Sequence, residues 1–242
     1  MFRNTLMLGC LLIAGWAHAY EMEDVKRMEF QIRDPQTREI YFEGHETSQE
    51  VGLQNRRQTF YYDAGKKEVY FEDASFDKES LRIQECTTIN RQSGEETIVK
   101  TEGDKARVRF RPSREKEARE EILPWGDRGF HTKVISLLIL RNWEKIVGGE
   151  PYKFDLMLPF RFESLGFQLV SNKRVKGENG EERESFLLQP QNFIIRAFVP
   201  RMEFQFSVGP KPRLSLYKGP SPLPIKGTTN KMMEMQFNYP TS

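Results

Sequence analysis

Phe130-His-Thr-Lys-Val-Ile-Ser-Leu-Leu-Ile-Leu-Arg-Asn-Trp143 is the one long apolar stretch beyond the N-terminal residues, and how it folds decides the architecture. Val134, Leu137, Leu138 and Arg141 lie three or four apart, and Ile135, Ile139 and Asn142 form a neighbouring stripe. Apolar side chains therefore cover more than half of a helical circumference, more than a surface helix carries. The spacing predicts one buried central helix over about 130–146. The Pro- and Gly-broken loop Leu123-Pro-Trp-Gly-Asp-Arg-Gly-Phe130 delivers it, and Gly148-Gly149 ends it. β-branched residues would also suit a buried strand, but the length of the run favours the helix.

On both sides the period changes from 3.6 to 2. In Val25–Arg33 the residues Met28, Phe30 and Ile32 stand two apart, the mark of a half-buried strand, and Asp34-Pro-Gln-Thr37 makes a turn. Aromatic and β-branched segments at 57–62, 68–72, 81–91, 96–101 and 105–111, separated by Gly- and Asp-containing turns, continue the pattern. Beyond the helix, alternation returns at 152–162, 167–175, 184–188, 192–199, 202–208, 214–217 and 232–239. Pro159 marks an edge or a bulge, and the proline-rich Gly219–Ile225 reads as an extended surface connection. Turns about every ten residues predict a mainly β fold, a strongly curved antiparallel sheet or open barrel packed around the helix.

The first 19 residues carry Arg3, an apolar run from Leu6 to Trp16, and Ala17-His18-Ala19, which together read as a cleaved signal peptide with the cut after Ala19. A lipobox centred on Cys10 fits poorly, because the apolar run continues past it. The expected organisation is a signal peptide at 1–19 and a single β-rich domain at 20–242, exported to the periplasm or cell envelope. Removing Arg3 with the leader leaves 36 basic against 35 acidic residues, so no nucleic acid or other polyelectrolyte partner is implied. No second apolar run is long enough to form a transmembrane segment. Only Cys86 remains after cleavage, which rules out an internal disulfide. Alternation places Cys86 with Arg82, Gln84 and Thr88 on one face, as a small packed residue or as a thiol open to intermolecular chemistry.

Chemistry is sparse. The mature chain offers His45, His131 and Cys86, far apart in sequence, with no metal-ligand spacing, phosphate loop or nucleophile elbow. No metal site, cofactor or catalytic residue is assigned. His131 is read as a locally bonded histidine at the start of the helix. Lys105, Arg107, Arg109 and Arg111 share one face of a strand, as an anionic-partner face or as ordinary solvated charge. The run Ser113–Glu121 places acids and bases at helical spacings, and its acids are available to neutralise that row. Scattered carboxylates leave a hydrolase open as a second alternative.

Val134-Ile-Ser-Leu-Leu-Ile-Leu-Arg141, followed by Gly148-Gly149, Phe154-Asp-Leu-Met157 and Pro212-Arg-Leu-Ser-Leu-Tyr217, resembles an uncharacterised family of exported bacterial β-rich proteins. The resemblance covers about residues 50–240, and the charged 113–121 segment departs from the pattern. It implies likeness to the curved sheets of lipoprotein carriers and brings no catalytic residues. The expectation that follows is a non-enzymatic envelope protein. It would bind a lipid-like or other apolar ligand through Val134, Leu137, Leu138, Phe154, Leu156 and Phe204. The alternative is a scaffold that binds envelope proteins or glycan through its charged face.

Overall fold

The computed structural model describes residues 26–225, 228 and 231–240; the expected signal peptide and Cys10 lie outside them. Alternating side chains build β1 (Arg27–Arg33), β2 (Ile40–Val51), β3 (Gln54–Tyr62), β4 (Glu68–Asp77), β5 (Ile83–Asn90), β6 (Glu96–Glu102), β7 (Lys105–Arg111), β8 (Arg119–Pro124) and β9 (Gly129–Phe130). The helical segment follows, and then β10 (Tyr152–Leu158), β11 (Glu163–Ser171), β12 (Val175–Lys176), β13 (Glu182–Pro190), β14 (Met202–Ser207), β15 (Leu214–Pro220) and β16 (Met232–Asn238). All belong to one sheet, in the order β8-β7-β6-β5-β4-β3-β2-β1-β16-β15-β14-β13-β11-β10-β9, with β12 paired to β13. Every pairing is antiparallel except β9 with β10. The sheet curls around the helix into an unclosed barrel, whose edges β8 and β9 are consecutive in sequence yet not hydrogen-bonded to each other.

The central helix is shorter and more broken than its period predicts. Phe130 pairs with Leu156 in a parallel bridge, so it belongs to the sheet. His131 then caps a 3-10 turn, Thr132–Val134, by accepting the Lys133 N–H at Nδ1. The helices proper are α1 (Ile135–Arg141) and α2 (Trp143–Val147). They part at Asn142, whose backbone N–H and Nδ2 both donate to the Leu138 carbonyl. This local competition for one acceptor ends α1 a turn before its apolar pattern does.

Other departures have equally local causes. Residues expected as a strand at 192–199 instead hold α3 (Phe193–Arg196), because Asn192 Oδ1 accepts from the Ile194 and Ile195 N–H groups and nucleates a turn. The charged run at 113–121 turns at Ser113–Lys116 and enters β8, where ion pairs across strands replace those along a helix. Pro159 opens a 3-10 turn after β10. Ser75 pairs with Glu85 but Phe76 pairs with Ile83, so a bulge at Gln84 shifts the alternation of β5 and turns Cys86 inward with Ile83. The proline-rich Gly219–Ile225 is no surface connection: Leu223 and Ile225 are buried.

Two cores result. The larger surrounds α1 and α2 and draws on β4–β7 and on β10, β11, β13 and β14. Trp143 fixes the helix there, its ring 4.8 Å from that of Phe186 and 5.7 Å from that of Phe206. The smaller joins Phe30, Ile32, Tyr61, Met233 and Met235 to Leu223 and Ile225, so the segment after β15 packs into this part of the barrel.

Candidate functional site: a cavity beside the helix

The two cores do not merge. Between them lies a cavity of about 540 Å³, walled by α1 on one side and by β1–β3 and β14–β16 on the other. Phe30, Phe204, Tyr217, Met233, Met235 and Phe237 give it an apolar wall, and Ile135, Leu137 and Leu140 face them from the helix.

One side of the cavity is polar, and strand register explains it. Glu46 on β2 stands opposite Thr59 on β3, which stands opposite Glu72 on β4. The inward row therefore carries two carboxylates and a hydroxyl. Lys133, in the 3-10 turn before α1, reaches across and satisfies all three. Its Nζ donates to Thr59 Oγ1 at 2.7 Å, to Glu72 Oε2 at 2.8 Å and to Glu46 Oε2 at 3.2 Å. Thr59 donates onward to Glu46 at 2.9 Å, and Tyr61 donates to Glu72 at 3.3 Å. An ammonium has three protons to give, and here each has an acceptor.

Arg57, beside them on β3, lies 3.4 Å from Glu46 through Nη1 and 5.6 Å above the Phe76 ring. Its Nε is buried and has no hydrogen-bond partner. That is an unmet donor at the cavity wall, where burial makes unmet donors rare.

Electrostatics follow from this packing. Burial alone would push the Lys133 ammonium down, but the Glu72 and Glu46 carboxylates outweigh it and hold it above the usual lysine range. Burial would likewise raise the Glu46 carboxyl, and Lys133 and Arg57 reverse that and hold it below its ordinary value. Lys133 with Glu46 and Glu72, and Arg57 with Glu46, thus set two cations against two carboxylates in one cluster. Burial, with Lys133 adding to it, lowers His131 to about 4, so the histidine is a neutral cap. Burial pushes the Cys86 thiol up to about 12. A buried thiol held in that form is a poor nucleophile and is closed to intermolecular pairing.

Of the apolar residues singled out in the sequence, Leu137 and Phe204 line the cavity. Val134, Leu138, Phe154 and Leu156 pack in the larger core. On β7, Arg107 pairs with Glu120 at 2.7 Å, Arg109 with Glu96 at 2.9 Å, and Arg111 lies 3.6 Å from Glu96. Lys105, exposed, stands opposite Glu102. The cation row is thus matched by acids of β6 and β8. Lys133, Glu46, Thr59 and Glu72, the polar residues at the centre of the cavity, were not picked out from the sequence. The signal that marks Glu46 and Glu72 is a charged residue at an inward position of an alternating strand.

Among the described residues no group of three or more His, Cys, Asp or Glu side chains is placed to hold a metal ion, and no helix is long and apolar enough to cross a membrane. No known family profile matches the chain, and no curated protein matches it either. Among solved structures, the crystal structure of a β-barrel-like protein of the domain of unknown function DUF1849 from Brucella abortus is similar, at 8% identity and a TM-score of 0.45 over 88% of this chain and 94% of that one. The chain itself folds as a β-rich, open barrel-like domain.

Proposed function

We propose that the chain is a non-enzymatic carrier, exported to the periplasm or cell envelope, that holds one lipid-like molecule in the part of the barrel the helix leaves empty. The observation that carries this reading is the cavity of about 540 Å³. It falls within the ~300–1,000 Å³ of small-molecule sites, and apolar walls with a few convergent polar groups are their usual lining. The ion pairs around Lys133 are internally balanced, so the ligand brings a polar head without net charge. The Arg57 guanidinium, which lines the cavity, gives that head a charged donor to meet. Export rests on the N-terminal leader pattern.

Native mass spectrometry of the full chain, purified from cells without detergent, tests the proposal. A mass excess removed by organic extraction is expected, together with saturable binding of a fluorescent fatty-acyl probe that Leu140→Trp blocks by filling the cavity. A bare chain with no saturable probe binding overturns it. Turnover of the bound molecule would replace it with the hydrolase reading.

A further inference from the structure

A second concavity lies on the outer face of the sheet. There Arg33 on β1, Glu234 on β16, Lys218 on β15 and Glu203 on β14 stand in one register row. The hairpin tip between β12 and β13 folds across them. Glu178 at that tip pairs with Arg33 at 2.9 Å and also with Arg38, latching the hairpin to the sheet. The groove so roofed measures about 410 Å³.

Its charges do not balance. Arg33, Lys173, Lys176, Arg183, Arg201 and Lys218 face it against three carboxylates, Glu178, Glu203 and Glu234. Those acids are engaged already. Glu234 accepts from Arg38 at 2.7 Å and lies 3.0 Å from Lys218, and Glu203 accepts from Ser185 at 2.7 Å and Gln205 at 2.9 Å. Lys173, Lys176 and Arg201 form no ion pair among the described residues. Arg183 is nine-tenths buried and pairs with Glu181 through Nη2, while its Nε is buried without a hydrogen-bond partner. A buried guanidinium N–H without an acceptor is rare, and a planar fork of donors suits a tetrahedral oxyanion better than a point charge does.

We propose that this groove binds a phosphoryl group, presented by a soluble phosphate ester or by a phospholipid headgroup. Arg183 supplies the directed donor, and Lys173, Lys176 and Arg201 supply the surrounding positive field. Val175 and Leu216 add an apolar wall for the organic part of the ligand. The site is on the opposite face of the sheet from the cavity and stands without it.

The test titrates the full chain with inorganic phosphate by calorimetry at physiological ionic strength, where a screening length of ~8 Å suppresses diffuse attraction. Co-sedimentation with phosphatidylglycerol vesicles runs in parallel. Saturable phosphate binding is expected, and the surface variant Lys173→Ala/Lys176→Ala/Arg201→Ala should weaken it about tenfold or more with unchanged thermal unfolding. Arg183→Gln should weaken it as well, while filling the cavity with Leu140→Trp should leave it intact. Vesicle binding that phosphate displaces assigns the headgroup as the source, and phosphate binding without vesicle binding assigns a soluble ester. If neither phosphate nor vesicles bind saturably, or the triple variant binds as the wild type does, the proposal is overturned.

Discussion

Replacing Lys133 by Met keeps the length of the side chain and removes the cation from the buried cluster. Glu46 and Glu72 would then face each other across Thr59, with Arg57, 3.4 Å from Glu46, as the remaining counter-charge. Deleting one partner of a buried pair costs about 3–5 kcal/mol, against a total stability of about 5–15 kcal/mol. At about 2–4 °C per kcal/mol for a domain of this size, the unfolding temperature should fall by about 6–20 °C. Urea denaturation followed by tryptophan fluorescence measures the difference, since Trp125 and Trp143 are both buried. The pH dependence should invert as well. In the wild type, the Glu46 carboxyl is held down in the fold, so its contribution is present above the ordinary carboxylate range and lost as pH falls through it. In the variant the burial of Glu46 acts unopposed by Lys133, so mild acid should stabilise the variant relative to the wild type. Adding Glu46→Gln and Glu72→Gln to Lys133→Met should recover most of the loss, as expected of coupled sites. A Lys133→Met protein within about 1 kcal/mol of wild type at neutral pH, with no gain in acid, would refute the reasoning.

Three further outcomes follow from how deeply individual side chains are buried. His131 is lowered from 6.5 to about 4, so as pH falls below 6.5 the unfolded chain takes up a proton that the fold refuses. Between pH 6.5 and 4 this drains ~3 kcal/mol of stability, and His131→Asn, which keeps a cap acceptor, should show a shallower loss in urea titrations across that range. Ile225→Ala should cost about 2–5 kcal/mol in the same assay, because Ile225 is only 2% exposed in the smaller core. Phe193→Ala, at a side chain 78% exposed, should change stability by less than about 0.5 kcal/mol.

The period of the strands was legible because one face meets water along most of the sheet, and the apolar run at 130–146 announced its burial by its width. What stayed hidden depended on single side chains acting on nearby backbone. Asn142 splitting the helix, Asn192 starting α3 and the bulge at Gln84 each alter a few residues without altering composition. The prolines of Gly219–Ile225 point to solvent, whereas Leu223 and Ile225 between them seek the interior. The site was harder to see than the fold, since Glu46, Thr59 and Glu72 lie on three strands and meet Lys133 only through register. Their inward placement becomes visible once β2, β3 and β4 are aligned, and one sequence does not align them.

The pairing of β1 with β16 has a consequence for how the chain assembles. Nearly every other contact in the sheet joins strands close in sequence, which form early and cheaply. β1 and β16 are the first and last strands described, yet they sit side by side in the middle of the sheet. As the chain emerges in order, β1–β8 can meander into half a barrel whose inner border, β1, lies bare until β16 arrives. For that interval the nascent protein carries an open strand edge of the sort that recruits other chains. Completing the last strand is therefore the step that protects it from its neighbours.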